Sequence, residues 1–446
     1  METGPVYENT LLIVESPTIA RIIDQFKLPG LQVWSSAGYC WKPIYNHHKK
    51  RLQIRVNPTQ TSDRNHLKSL ARWATQIIVA TDNDPSGIFL AEAIRKFLKG
   101  HRVHRGFLST LSSDSILKTI RDAKPLNQQD FFQLERRWIA RNKLCNSGNN
   151  DEYLWIKAAL ISLFSDPPYK LRYLDQHGHP WRPAAQPEKP GEPLQVRKPE
   201  AWFPEPFQPP TTLCLLAFLK KSDDNFQQLQ YQLEQLFTQS AQQGFGISYP
   251  RTASPFWYDS TWEQLTQKFQ TKYGIESVLQ HSLRSQCRSA AHEALHVIDP
   301  VDNHPDHVRP ELRRAQFLAY QKLHQLTCRA IQAVPHISPP EGARLTPIIT
   351  TQDLCRFLAE FHACSPSSIG SITDWLIRNQ YIILREGSDE VKPGTQLKKL
   401  IQQLETKEVT ELIYLLQTLI DDRTRHRQNI IKSANELRTL FGNDIP

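Results

Sequence analysis

The sequence has no apolar run near the ~18–20 residues that a helical membrane span needs, which excludes a helical membrane protein. It has no CxxC pair. The seven cysteines, Cys40, Cys145, Cys214, Cys287, Cys328, Cys355 and Cys364, stand singly. That scatter excludes zinc ribbons and a disulfide scaffold, and reads as the reduced thiols of a cytoplasmic protein. Met1 to Asn9 is polar and leads straight into a strand pattern, so no secretory signal is expected. Acidic charge is in deficit: 45 Asp and Glu face 54 Lys and Arg, a formal net charge of +9. The surplus favours a polyanionic partner, nucleic acid first. At 446 residues the chain exceeds one ordinary core and suggests roughly three domains.

Over the first 150 residues strand and helix patterns alternate. Thr10–Glu15, Leu31–Ser35, Gln76–Thr81 and His101–Leu108 read as strands. Pro17–Phe26, Ser86–Leu98, Ser113–Ala123 and Gln128–Leu144 read as helices. Alternation of this kind predicts a mostly parallel sheet with helices on both faces, and ligands beyond the carboxyl ends of its strands. Residues 151–210 read as a helix and then a connector, because Asp166–Pro210 holds 12 prolines, which helix interiors and central strands reject. Residues 211–335 carry helical spacing at Thr211–Lys220, Asn225–Ala241, Ser260–Thr271 and Glu311–Ala333. Residues 336–446 begin with two helices around a turn, Thr351–His362 and Ser367–Asn379, followed by the strand Tyr381–Arg385. That order is winged-helix-like. Lys407–Phe441 closes the chain as two helices with an apolar stripe of Val409, Leu412, Ile413, Leu416, Leu419 and Ile420, read as core with a partner surface as the alternative.

Three carboxylates stand at predicted strand ends. Glu15 closes the first strand, and Asp82 and Asp84 follow Gln76–Thr81. If the strands are parallel neighbours, these acids converge at one sheet edge, and their mutual repulsion calls for a hard cation such as Mg²⁺. The same DNDPSG stretch also reads as a plain strand-to-helix turn, since Asp and Ser favour helix N-caps.

The order of motifs adds a resemblance. LLIVESPTIARII at Leu11–Ile23 and VATDNDPSG at Val79–Gly87 resemble the Toprim domain of type IA DNA topoisomerases. RRWIARNKL at Arg136–Leu144 is similar to the helix that closes that domain, and GFGISYPRTASP at Gly244–Pro255 to the active-site segment. AAHEALH at Ala290–His296 resembles the HEAI motif, and LAEFHACSPSSIGSI at Leu358–Ile372 the nucleotide-contacting turn. The resemblance implies a multidomain α/β plus mainly α chain, an N-terminal Toprim domain followed by helical, winged-helix-like domains. It places Tyr249 at the nucleophile, Arg251 and Glu15 beside it, and Glu15, Asp82 and Asp84 at the positions that hold Mg²⁺, here weakly. It also places His292, Arg21, Arg137, Ser367 and Ser368 at DNA-contacting positions. The implied partner is single-stranded DNA, with further proteins of a DNA-processing complex as a second class and no membrane.

Several positions depart from the pattern. Ser86 stands where the family has a proton-transferring glutamate, Ile19 where it has a lysine, and Tyr39 where it has a histidine. Ala253 replaces an aspartate, Ser365 an arginine and Ile369 a tyrosine. Loss of a general acid costs roughly 10²–10⁴-fold. The connectors Asp166–Pro210 and Val334–Thr346 show no alternation long enough for the family's β arch. Three readings follow. The chain cleaves and rejoins single-stranded DNA through Tyr249 without efficient strand passage, or binds single-stranded DNA as a catalytically degenerate subunit, or serves as a protein-interaction scaffold. Trp257, Tyr258 and Trp262 beside Tyr249 read either as base-stacking surfaces or as core.

Overall fold

Thr10–Val14 (β1) is buried at every position, as a strand covered on both faces must be. Ser16 then caps Pro17–Gln25 (α1), its hydroxyl accepting from the Thr18 and Ile19 amides at 3.2 and 3.4 Å, with Pro17 pre-set for the first turn. The computed structural model describes residues 9–37, 40–46, 51–82, 85–108, 111–145, 153–165, 172–174, 180–183, 194–195, 202–204, 207–221, 224–274, 292–332, 344–360, 368–384, 388–404 and 406–420. The chain forms two compact units, residues 1–155 with 414–446, and residues 156–413.

In the first unit, Leu31–Ser35 (β2), Trp41–Asn46 (β3) and Arg51–Val56 (β4) precede Thr61–Trp73 (α2). Gln76–Val79 (β5), Pro85–Phe97 (α3), Val103–Arg105 (β6), Ser113–Arg121 (α4), Lys124–Pro125 (β7) and Gln128–Cys145 (α5) follow. The sheet order is β2-β1-β5-β6-β7; β2, β1, β5 and β6 run parallel, and β7 is antiparallel at the edge. Leu11, Ile13, Ile77, Val79, Ala91, Ile94 and Leu134 make its core. β3 and β4 form a separate antiparallel hairpin, which, with α2, the periodicity of the sequence did not reveal.

The second unit begins with Leu154–Ser165 (α6), an apolar helix buried on nearly all sides. The proline-rich stretch is more than a connector. It supplies four short strands, Arg172–Leu174 (β8), Pro180–Pro183 (β9), Leu194–Gln195 (β10) and Trp202–Pro204 (β11). Thr212–Leu219 (α7), Phe226–Gln243 (α8), Asp259–Tyr273 (α9), Pro305–Val308 (α10) and Arg314–Ile331 (α11) make the helical part. Arg344–Thr350 (β12) then pairs antiparallel with both β8 and β10, so the two connectors meet in one sheet. Pro180, Pro183 and Pro204 sit at strand ends, where a missing N–H is tolerated. Thr351–Glu360 (α12), Ile369–Arg378 (α13), Ile382–Leu384 (β13) and Glu390–Pro393 (β14) give two helices followed by a hairpin whose β14 also pairs with β12. Thr395–Gln403 (α14) and Thr406–Ile420 (α15) end the described chain; Leu412 and Leu416 of the expected stripe are buried, and so is Leu415 beside them.

The end of β5 and the first turn of α3 approach each other closely. The Thr81 hydroxyl donates to the Gly87 carbonyl at 2.8 Å, and a Cβ at Gly87 would sit 1.8 Å from the Asp82 carbonyl oxygen. Backbone at that distance has nowhere to go. Gly87→Ala should therefore lower the stability of the first unit by about 3 kcal/mol, read as a lower urea midpoint together with faster amide exchange in β1 and β5. An unchanged midpoint would contradict the close approach.

Candidate active site

Glu15 and Asp82 belong to one sheet edge because β1 and β5 are parallel neighbours, with Ile13 in register with Val79. Glu15 follows Ile13 by two residues and Asp82 follows Val79 by three. The Glu15 Oε1 atom is sealed from solvent, and Asp82 is half-buried. Arg105, at the end of β6, fixes this edge. Its guanidinium donates to the Val79 carbonyl at 3.2 Å, to the Thr81 hydroxyl and to the Asp82 carbonyl at 2.6 Å. Sequence reasoning missed Arg105, because only the topology shows that β6 lies beside β5. Asp84 lies outside the described residues, and among those described no group of three His, Cys, Asp or Glu could hold a metal. Glu15 and Asp82 are hard oxygen donors of the kind Mg²⁺ takes. Arg21 lies exposed on α1 and donates to the Thr18 hydroxyl at 3.3 Å, and Ser86 is exposed in the first turn of α3.

The Tyr249 segment is built by backbone exchange. The Ser248 amide donates to the His296 carbonyl at 2.9 Å, Ile298 donates to Gly246 at 3.1 Å, and Ile247 bridges Val297 antiparallel. Thr212, in the first turn of α7, holds the other side: its hydroxyl donates to the Pro250 carbonyl and accepts from the Thr252 amide, both at 2.7 Å. Its own amide donates to the Thr252 carbonyl at 3.0 Å. The buried Thr252 hydroxyl donates to the His292 carbonyl and accepts from the Ser254 amide, each at 3.0 Å.

These bonds set the neighbours of Tyr249. Its ring lies 4.3 Å from that of His292, tilted by 40°, and meets the Phe237 ring edge-on at 5.5 Å. His292 is buried, and so is Glu293, whose carboxylate accepts from the Tyr258 amide at 3.1 Å. Arg251 is half-exposed and gripped by Glu234 of α8, with Nε and Nη2 each 2.9 Å from a carboxylate oxygen. Glu234 and Phe237 were not legible beforehand; they lie on a helix that reads as an ordinary amphipathic one. Trp257 and Trp262 are core. They pack with Leu265, Phe269, Ala294, Ala330 and Ile331, so the base-stacking alternative fails for both.

The turn that precedes α13 is only partly described. Ser367 lies outside the described residues, as does the side chain of Arg137. Ser368 is half-buried at the N-cap of α13. Asp374 of α13 accepts from the Phe226 and Gln227 amides at 2.9 and 3.0 Å, and Gln230 of α8 accepts from the Gly370 amide at 3.0 Å. One helix, α8, thus packs its own residues against both the Tyr249 segment and the helix after Ser368.

No family model and no curated protein matches the chain. Among solved structures it is similar to the full-length topoisomerase I from Thermotoga maritima in its monoclinic crystal form, with a TM-score of 0.59 at 15% identity. The likeness covers 97% of this chain and 89% of that one. The fold is topoisomerase I-like. At that identity it describes the path of the chain and leaves the chemistry to the residues.

Thr252→Val tests the local build. It removes the donor to His292 and the acceptor of the Ser254 amide inside a dry site, a cost of about 2 kcal/mol. Thermal unfolding should show the loss, and NMR should show the Tyr249 and His292 rings separating. A variant as stable as the parent, with the ring contact kept, would refute the role given to the hydroxyl.

Proposed function

We propose that the chain acts on single-stranded DNA as a type IA topoisomerase-like protein, with Tyr249 as the cleaving nucleophile and without efficient strand passage. The observation that carries this reading is the arrangement of Tyr249 and Arg251 on one segment with His292 on the run hydrogen-bonded to it, within a topoisomerase I-like fold. In the reaction a bond forms between the Tyr249 oxygen and phosphorus while phosphorus loses one sugar oxygen. The phenolic proton ends on that sugar hydroxyl, and rejoining reverses each change. An arginine fork holding a carboxylate through two parallel N–H bonds offers the same geometry to two phosphate oxygens. Arg251, now paired with Glu234, would there stabilise the pentavalent, anionic transition state. Glu15, Asp82 and Asp84 would hold Mg²⁺, which when bound supplies positive charge to orient the flanking phosphates.

The second reading, a catalytically degenerate single-stranded-DNA-binding subunit, is favoured by Ser86: an exposed hydroxyl stands where a proton donor is needed. Both readings share one test. Single-stranded oligonucleotide should bind more tightly than duplex, and affinity should fall steeply with salt as counterions are released. The same preparation should fail to relax negatively supercoiled plasmid processively, because the described strands that Asp166–Pro210 contributes, Arg172–Leu174, Pro180–Pro183, Leu194–Gln195 and Trp202–Pro204, are too short for a long arch. Salt-insensitive binding, or none, would favour the scaffold; efficient relaxation would overturn the limit on strand passage.

A further inference from the structure

The β3–β4 hairpin stands apart from the parallel sheet and has two unlike faces. Its inner face is anchored: Trp41 and Leu52 are buried, Ile54 packs on the same core, and the Leu52 amide donates to the buried Glu135 carboxylate at 2.9 Å. Its root is fixed as well. The Asn57 amide donates to the Cys40 carbonyl at 3.0 Å, and the buried Arg64 guanidinium donates to the Asn57 carbonyl and, at 3.0 Å, to the Thr61 hydroxyl. The ribbon therefore holds a set orientation on the first unit.

The outer face is cationic. Lys42 pairs directly with Arg55 across the strands, both side chains are exposed, and the next pair on that face is Ile44 with Gln53. Like charges directly opposed on a ribbon repel and destabilise it. No ion pair to either cation occurs among the described residues. From Gln25 to Ser62 the sequence contains no Asp or Glu, against six Lys and Arg. Opposed cations with no acid in this stretch of sequence cost folding stability, and a polyanion lying along the face would relieve that cost.

We propose that the outer face of the β3–β4 hairpin, with Lys42 and Arg55 at its centre, is a second nucleic-acid surface that binds the phosphate backbone. Phosphate is favoured over an acidic protein because the described face offers a pair of exposed cations and no aromatic side chain, and protein interfaces centre on buried aromatic anchors. A two-stranded ribbon also has the width that a duplex major groove admits. Single and double strands share this chemistry, and the measurement separates them. The inference does not depend on reaction at Tyr249.

The test is fluorescence anisotropy of labelled single-stranded and duplex oligonucleotides across a salt series, with wild type and Lys42→Gln/Arg55→Gln. Two lost phosphate contacts should flatten the slope of log K against log salt by about 1.4 for single strands or 1.8 for duplex. The strand form that shows its full change is the one the hairpin holds. Lys99→Gln/Arg102→Gln removes the same charge from an exposed site and should leave the slope unchanged. The hairpin variant should melt at or above the wild-type temperature, because a repulsive pair has been relieved. If it melts lower, Lys42→Gln alone should still flatten the slope by half as much. An unchanged hairpin-variant slope, or an equal change in the control, would overturn the proposal while leaving DNA binding intact. Wild type that binds neither strand form would overturn it together with the DNA-binding reading. A slope change seen only with poly-glutamate would assign the face to an acidic protein instead.

Discussion

Thr212 holds the Tyr249 segment by three hydrogen bonds, two exchanged with Thr252 and one donated by its hydroxyl to the Pro250 carbonyl, and the functional reading of the second unit depends on that exchange. It ties the buried helix α7 to a segment that has no regular secondary structure of its own. Without it, the stretch from Ser248 to Ser254 would keep only its bonds to the run from His292 to Ile298 and its contacts with Glu234 and Phe237 of α8. With it, the Tyr249 ring is confined between His292 and Phe237. Reactive groups are effective when their geometry is fixed before substrate arrives, and here the buried backbone and hydroxyl bonds fix it.

Arg251 shows how the charge is arranged. A guanidinium half-exposed two residues from Tyr249 would repel nearby cations and attract stray anions; Glu234 neutralises it and holds its plane. The same helix docks on α13 through Gln230 and through the amides that Asp374 caps. Residues of this one helix therefore touch both the Tyr249 segment and α13. In the first unit Arg105 has a comparable task, with three donors fixing the turn that carries Asp82.

The strand ends at Glu15 and Asp82 were legible because β1 and β5 are apolar runs flanked by helix starts, and parallel pairing aligns their carboxyl ends. Tyr249 and His292 were legible only through the order of several motifs; neither residue type signals chemistry by itself. The strands β8 to β11 were not legible. At two to four residues they are too short for a period of two to show, and two of them find their partner in β12, about 150 residues on. The hairpin β3–β4 escaped for a different reason: exposed Lys42, Pro43 and Ile44 blur the alternation that its buried face keeps. Trp257 and Trp262 were ambiguous because an aromatic residue serves a core and a base equally well, and only burial decides between them.

The central claim is that Tyr249 is a nucleophile, and trapping its adduct tests that claim most directly. Single-stranded oligonucleotide carrying a radioactive phosphate is incubated with the protein and Mg²⁺, quenched with denaturant and resolved on a denaturing gel. The account predicts a label that stays on the protein, that proteolysis maps to the peptide containing Tyr249, and that Tyr249→Phe abolishes without loss of folding. No label on the wild-type protein, or equal label on Tyr249→Phe, would contradict it.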